Sequence, residues 1–76
     1  MSNDYREKQF LDSLAKRIAS LRKDKRMTQE DVAEKANIDR VALANIETGK
    51  RRPTVTTVYR ISQALGVHIS ELFSKH

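Results

Sequence analysis

Apolar residues recur every three or four positions along nearly all of this sequence, and only two glycines and one proline interrupt them. That spacing suits helices, which bring residues i, i+3, i+4 and i+7 onto one face, and it leaves no alternating run for a strand. The chain therefore reads as all-α, a compact bundle of five short helices joined by tight turns. Its 76 residues form a single domain over 1–76, and a domain this small hides only about 60% of the surface its unfolded chain exposes. With 38% apolar and 33% charged residues, most of the Leu, Ile, Val, Ala and Phe must enter one core.

The first helix is expected over residues 6–25, with Phe10, Leu14, Ile18 and Leu21 along one face, Leu11 and Ala15 beside them, and Lys16, Arg17, Lys23 and Lys25 opposite. Thr28 starts the second, Gln29–Ala36, because its hydroxyl can cap free N–H groups while Asp31 reaches back in a capping box. Val32, Ala33 and Ala36 face inward, and Asn37 tolerates the left-handed conformation that ends a helix. Asp39 caps a third helix, which carries Leu43 and Ile46 inward and stops before Gly49. Pro53 forbids further helix and Thr54 caps a fourth, Val55–Leu65, with Val55, Val58, Ile61 and Leu65 as its buried stripe. Gly66 ends it, and Val67 and Leu72 staple a one-turn fifth helix, Ile69–Phe73. Residues 1–4 and 74–76 are expected to fray.

The chain has no cysteine, so it offers neither a disulfide framework nor a thiolate metal site; a small secreted domain usually needs such a staple, and an intracellular chain is expected. Its longest purely apolar run, Val41-Ala42-Leu43-Ala44, falls far short of the ~20 residues that cross a bilayer, so no membrane partner is expected. Fifteen Lys and Arg against ten Asp and Glu give +5 and a pI near 9.9, which suits a polyanion. No catalytic constellation emerges. The histidines are His68 and His76, and the adjacent acids Glu30 and Asp31 point in different directions on a helix. A metal is not expected because the two histidines have no third ligand nearby. His68 sits where a helix cap belongs, as a surface histidine or a pH-sensitive cap. We expect no enzyme, no cofactor and no small-molecule ligand.

Helices two and three, separated only by Asn37-Ile38 and the capping Asp39, form a corner in which the second helix crosses the first and stands proud of the domain. Over residues 14–73 the chain resembles the lambda-repressor-like, or XRE-family, DNA-binding domain. The match rests on Leu14-Ala15-Lys16-Arg17-Ile18, Leu21-Arg22, Met27-Thr28-Gln29-Glu30-Asp31-Val32-Ala33, Ile46-Glu47-Thr48-Gly49-Lys50, Arg52-Pro53 and Ala64-Leu65-Gly66-Val67. It implies a helix-turn-helix core over 28–48, with residues 1–13 as an N-terminal helical extension.

The resemblance implies that helix three enters the major groove with Arg40, Val41, Ala44 and Asn45 on its reading face, and that Thr28 and Gln29 hold phosphate. Arg40 suits guanine O6 and N7, or else a phosphate, and Asn45 suits adenine N6 and N7 or is a surface residue. Val41 and Ala44 offer apolar contact to a thymine methyl, where family members often carry polar residues; Val41 has packing or a dimer contact as alternatives. Lys50, Arg51 and Arg52 are expected to grip the DNA backbone or lean into the minor groove, or else form a solvated charge run. Arg22 and Glu47 take positions where the family often has a buried ion pair. Val67, Ile69, Leu72 and Phe73 take the family's dimer surface, although they can instead close the domain's own core; the extension with Tyr5 and Phe10 is a second candidate.

The expected function is a sequence-specific, double-stranded-DNA-binding transcription regulator, a repressor or autoregulator, acting as a homodimer on a palindromic operator. The alternatives are an antitoxin or a restriction-modification controller protein, acting through a protein partner or its own promoter. An RNA-binding adaptor would need interleaved aromatics, and the chain has only Tyr5, Phe10, Tyr59 and Phe73. The length leaves no room for an effector domain, so control is expected to come from concentration or another protein.

Overall fold

The computed structural model describes residues 3–73, and among them no strand forms. Four α-helices follow one another: α1 (Asn3–Asp24), α2 (Gln29–Ala36), α3 (Arg40–Glu47) and α4 (Val55–Leu65). A 3-10 helix, Ile69–Phe73, closes the series. The expected fifth helix is thus a 3-10 turn, and the α-helices number four. Its geometry follows from its shortness: the Glu71 N–H donates to the His68 carbonyl at 2.9 Å, an i to i+3 bond.

The core takes Leu14, Ile18 and Leu21 from α1, Val32, Ala33 and Ala36 from α2, and Leu43 and Ile46 from α3. Val58, Ile61, Ala64 and Leu65 of α4 and Leu72 of the 3-10 helix complete it. These are nearly all the positions that helical spacing selects. Met27, Ile38, Val67 and Ile69 pack around the edge. Helix α2 lies against both α3 and α4, while α1 runs beneath α3, α4 and the 3-10 helix.

Two apolar assignments change. Val55 is 80% exposed although it shares a face with buried Ser62 seven residues on: it is the first residue of α4 and precedes the part of the helix that packs in the core. Buried Ser62 takes a place in the stripe instead, its hydroxyl donating to the Tyr59 carbonyl at 2.6 Å. Phe10 is 54% exposed, since it precedes the part of α1 that lies over the core. Its ring stacks on Phe73 with centroids 5.8 Å apart.

Helix boundaries follow local chemistry. Helix α1 begins at Asn3 and ends at Asp24, not at 6 and 25. Asp4 complements the dipole of its first turn, and Gln9 Nε2 donates to Tyr5 Oη at 3.0 Å one turn along. Asn3 and Asp4 are therefore helical rather than frayed; the fraying expected of 1–2 and 74–76 lies outside the described residues. At its other end Arg26 has φ +57°. The Arg26 and Met27 N–H groups return to the carbonyls of Lys23 and Arg22, a closing motif that usually employs glycine.

Asn37 ends α2 at φ 55° as expected, and Gly66 ends α4 at φ 70°. Thr54 caps α4 through the Thr57 N–H at 3.1 Å. Asp39 occupies the N-cap position of α3 but makes no side-chain cap bond, a correction to its expected role: its carbonyl, not its carboxylate, serves the helix by accepting from the Leu43 N–H. His68 does cap, its Nδ1 accepting the Ser70 N–H at 3.2 Å.

The capping box of α2 is complete. The Asp31 N–H donates to Thr28 Oγ1 at 3.0 Å and the Thr28 N–H to Asp31 Oδ2 at 2.8 Å. The Thr28 backbone N–H, then the Thr28 hydroxyl, and then the charge of Lys35 hold the Asp31 carboxyl below its usual value. A lowered folded pKa contributes stability above the unfolded carboxylate value, and that stability is lost as pH falls through the folded one. Wild-type protein should thus melt above Asp31→Asn at neutral pH, with the gap closing in acid below the ordinary aspartate range. A gap that persisted unchanged in acid would contradict the carboxylate's role.

Candidate nucleic-acid interface

Helix α3 has two faces set by its register. At 100° per residue, Leu43 and Ile46 point one way, and Arg40, Val41, Ala44 and Asn45 fan over the opposite side. Burial agrees: Leu43 and Ile46 are core residues, while Val41 is 53% exposed, Arg40 is exposed, and Ala44 and Asn45 are partly so. The structure brings the four residues together on one outward surface, and Arg40 has no ion-pair partner among the described residues.

The helix is fixed from behind by an ion pair. Arg22 Nε donates to Glu47 Oε2 at 2.7 Å and Nη2 to Glu47 Oε1 at 3.0 Å, the two-pronged geometry that suits guanidinium and carboxylate. The third nitrogen, Nη1, donates to the Met27 carbonyl at 2.9 Å. The side chains are 11% and 4% exposed. The hydrogen bond to Glu47 raises the Arg22 pKa further above its ordinary value, against the opposing effect of burial. Arg22 and Glu47 thus form the structural pair expected of them.

Gln29 joins this network, its Nε2 donating to Glu47 Oε1 at 3.1 Å. The sequence reading missed that bond, giving Gln29 a phosphate-holding role or that of a plain first-turn glutamine; its partner lies 18 positions away, and no local signal points to it. Its carbonyl oxygen and second N–H remain for another partner. Thr28, beside it, is exposed and uses its side chain in the capping box.

The basic loop starts where α3 stops. Gly49 takes φ +77°, which strains any side chain, whereas a Cβ there would meet only the movable carboxylate end of Asp12, with Oδ1 at 2.8 Å, so it is the backbone conformation of the turn that calls for glycine. The Lys50 and Arg51 N–H groups both donate to the Asn45 carbonyl, at 2.9 and 3.2 Å, which seats the start of the loop beside the outward face of α3. Lys50, Arg51 and Arg52 are all exposed. Arg52 Nη2 lies 4.0 Å from Glu7 Oε2, with the two side chains 73% and 54% exposed.

Among the expected dimer residues, Leu72 is 1% exposed and packs in the domain's own core, so it is withdrawn as a surface contact. Val67 and Ile69 are partly buried and Phe73 is 47% exposed. Arg17 ties this end to α1, its Nε donating to the Glu71 carbonyl at 2.8 Å. No group of three His, Cys, Asp or Glu among the described residues is arranged to hold a metal, and none of their helices is long and apolar enough to cross a membrane.

Comparison with known proteins places this geometry in context. A family described as helix-turn-helix, HTH_3, matches residues 18–72. An uncharacterized HTH-type transcriptional regulator, y4dJ of Sinorhizobium fredii, is 44% identical over 55 residues, 72% of this chain and 71% of that protein. The immunity repressor protein of Bacillus phage phi105 is 37% identical over 60 residues, 79% of this chain, and there the match spans 42% of the longer protein. Among solved structures, the restriction-modification controller protein C.AhdI from Aeromonas hydrophila superposes with a TM-score of 0.81 at 28% identity, covering 83% of this chain and 96% of that one.

Proposed function

Since the chain belongs to the helix-turn-helix family HTH_3 of XRE-like regulators and is a DNA-binding regulator of transcription, we propose that it represses or autoregulates from a palindromic operator as a homodimer. The observation that carries this reading is the outward face of α3, solvent-facing while its opposite side is locked into the core. Arg40 supplies a two-pronged donor for guanine, Asn45 a matched donor and acceptor for adenine, and Val41 and Ala44 an apolar surface for a thymine methyl. Thr28 and Gln29, at the start of α2, hold the phosphate on one side, where backbone N–H groups and the helix dipole favour an anion. Lys50, Arg51 and Arg52 hold it on the other.

One domain reads few base pairs, so two copies on half-sites about 34 Å apart supply the needed specificity. Val67, Ile69 and Phe73 form the self-association surface, and the Phe10 ring stacked on Phe73 extends it onto α1. The chain works in the cytoplasm, at the nucleoid. A restriction-modification controller is the second reading, favoured by a fold that covers 96% of C.AhdI.

Selection from a random duplex library at near-physiological salt, with mass measured in the same buffer, tests the proposal. A palindrome recovered by a dimer supports it, and weak binding without a motif would sink it. Arg40→Ala should then remove preference at one base position, worth about 1–3 kcal/mol. Lys50→Ala should weaken every duplex alike and flatten the log–log salt dependence by about one unit of slope. If Arg40→Ala instead weakened all sequences equally, its base-reading role would be lost.

A further inference from the structure

The first half of α1 precedes the helix-turn-helix match, which begins at residue 18, yet it runs beside the loop that carries the DNA-directed cations. Arg6, Glu7, Phe10 and Leu11 line one crevice with Arg52 and Pro53. Among the described residues, Arg52 is the one member of the Lys50-Arg51-Arg52 run with an acidic partner, at 4.0 Å from Glu7. Glu7 lies on α1 one turn before Phe10, whose ring stacks on Phe73. This places its carboxylate beside the loop.

We propose that Glu7 is a positioning residue that occupies Arg52 in the free protein and competes with DNA phosphate for it. Both side chains are largely solvated, so the pair is weak and opens readily. When a duplex arrives, Arg52 exchanges a carboxylate for a phosphate, and the freed Glu7 charge stays near the DNA backbone. Glu7 thereby lowers both the affinity contributed by the loop and its sensitivity to salt, damping the attachment of a strongly basic loop to any polyanion. This rests on the reading of Arg52 as a phosphate contact.

The test is the binding of mixed-sequence duplex DNA across a salt series by the parent, Glu7→Gln, Arg52→Ala and the double variant. Glu7→Gln should bind about 1.5- to 5-fold more tightly at low salt, with a log–log salt slope steeper by up to about one unit and an unchanged melting temperature. The gain should vanish in the Arg52→Ala background, since a double-mutant cycle isolates the coupling. Equal gain in both backgrounds would reduce Glu7 to a general charge effect and overturn the proposal. If Arg52→Ala weakens binding while Glu7→Gln changes nothing, the competition is refuted and the loop reading stands. If Arg52→Ala binds like the parent, the phosphate role of Arg52 falls and the proposal falls with it.

Discussion

Glu47→Ala should destabilise the domain by up to about 3–5 kcal/mol, because it leaves a largely covered arginine without its carboxylate. The Arg22 side chain is 11% exposed and loses both bonds to a carboxylate that is itself 4% exposed, and Gln29 loses its acceptor. A small domain holds only ~5–15 kcal/mol in all, so this one change removes a large share. At roughly 4–8 °C per kcal/mol for a chain of this size, the melting temperature should fall by tens of degrees. Urea unfolding, read as a shift in midpoint at constant slope, measures it directly. A paired Arg22→Met, Glu47→Leu variant should recover much of the loss, since the main cost lies in the unpaired charge. A loss below about 1 kcal/mol for Glu47→Ala would mean that the pair is solvated, against the observed burial.

Leu43→Ala should cost about 2–5 kcal/mol, for a different reason. Leu43 is 0% exposed on the inward side of α3, so truncation opens a cavity that its close-packed neighbours only partly fill. Its effect on DNA should separate cleanly from its effect on folding. At a temperature where the variant remains folded, its base preference should match the parent's, because Leu43 points away from the proposed reading face. Arg40→Ala should show the converse, an altered preference with nearly unchanged stability. A Leu43→Ala variant that kept its stability but changed its preferred sequence would reverse the assignment of the two faces.

The order and placement of the helices were legible because each depends on chemistry that neighbours in sequence carry. Thr28 and Asp31 lie three residues apart and close the same box in space. Asn37 ends α2 through its own backbone tolerance, and Ile18, Leu43 and Ile61 reach the core at helical spacing. The misses have equally specific causes. Arg26 adopts a left-handed backbone with no glycine or asparagine to signal it. Val55 and Phe10 obey the helical period but both stand beyond the core's edge, and period alone does not locate that edge. Ser62 is polar, so a search for apolar residues passes over it, although a carbonyl three residues back satisfies its hydroxyl.

At the site, the resemblance supplied both the grouping of the α3 residues, with which helical register agrees, and the Arg22 and Glu47 pair across 25 positions. The Gln29 to Glu47 bond and the approach of Glu7 to Arg52 were not legible. Both join residues far apart in sequence, and no local pattern requires either partner to find the other.

The network around Glu47 also bears on how the protein meets DNA. It links the end of α1, the start of α2 and the end of α3 through four hydrogen bonds, so the two helices of the motif reach a duplex already set at their working angle. Little ordering entropy is then left to spend on docking. Association should accordingly be governed by electrostatic steering toward the phosphates rather than by a conformational step, with encounter rates that fall as salt rises. The heat capacity of binding should scale with the contact area, because the helices of the motif are already formed among the described residues.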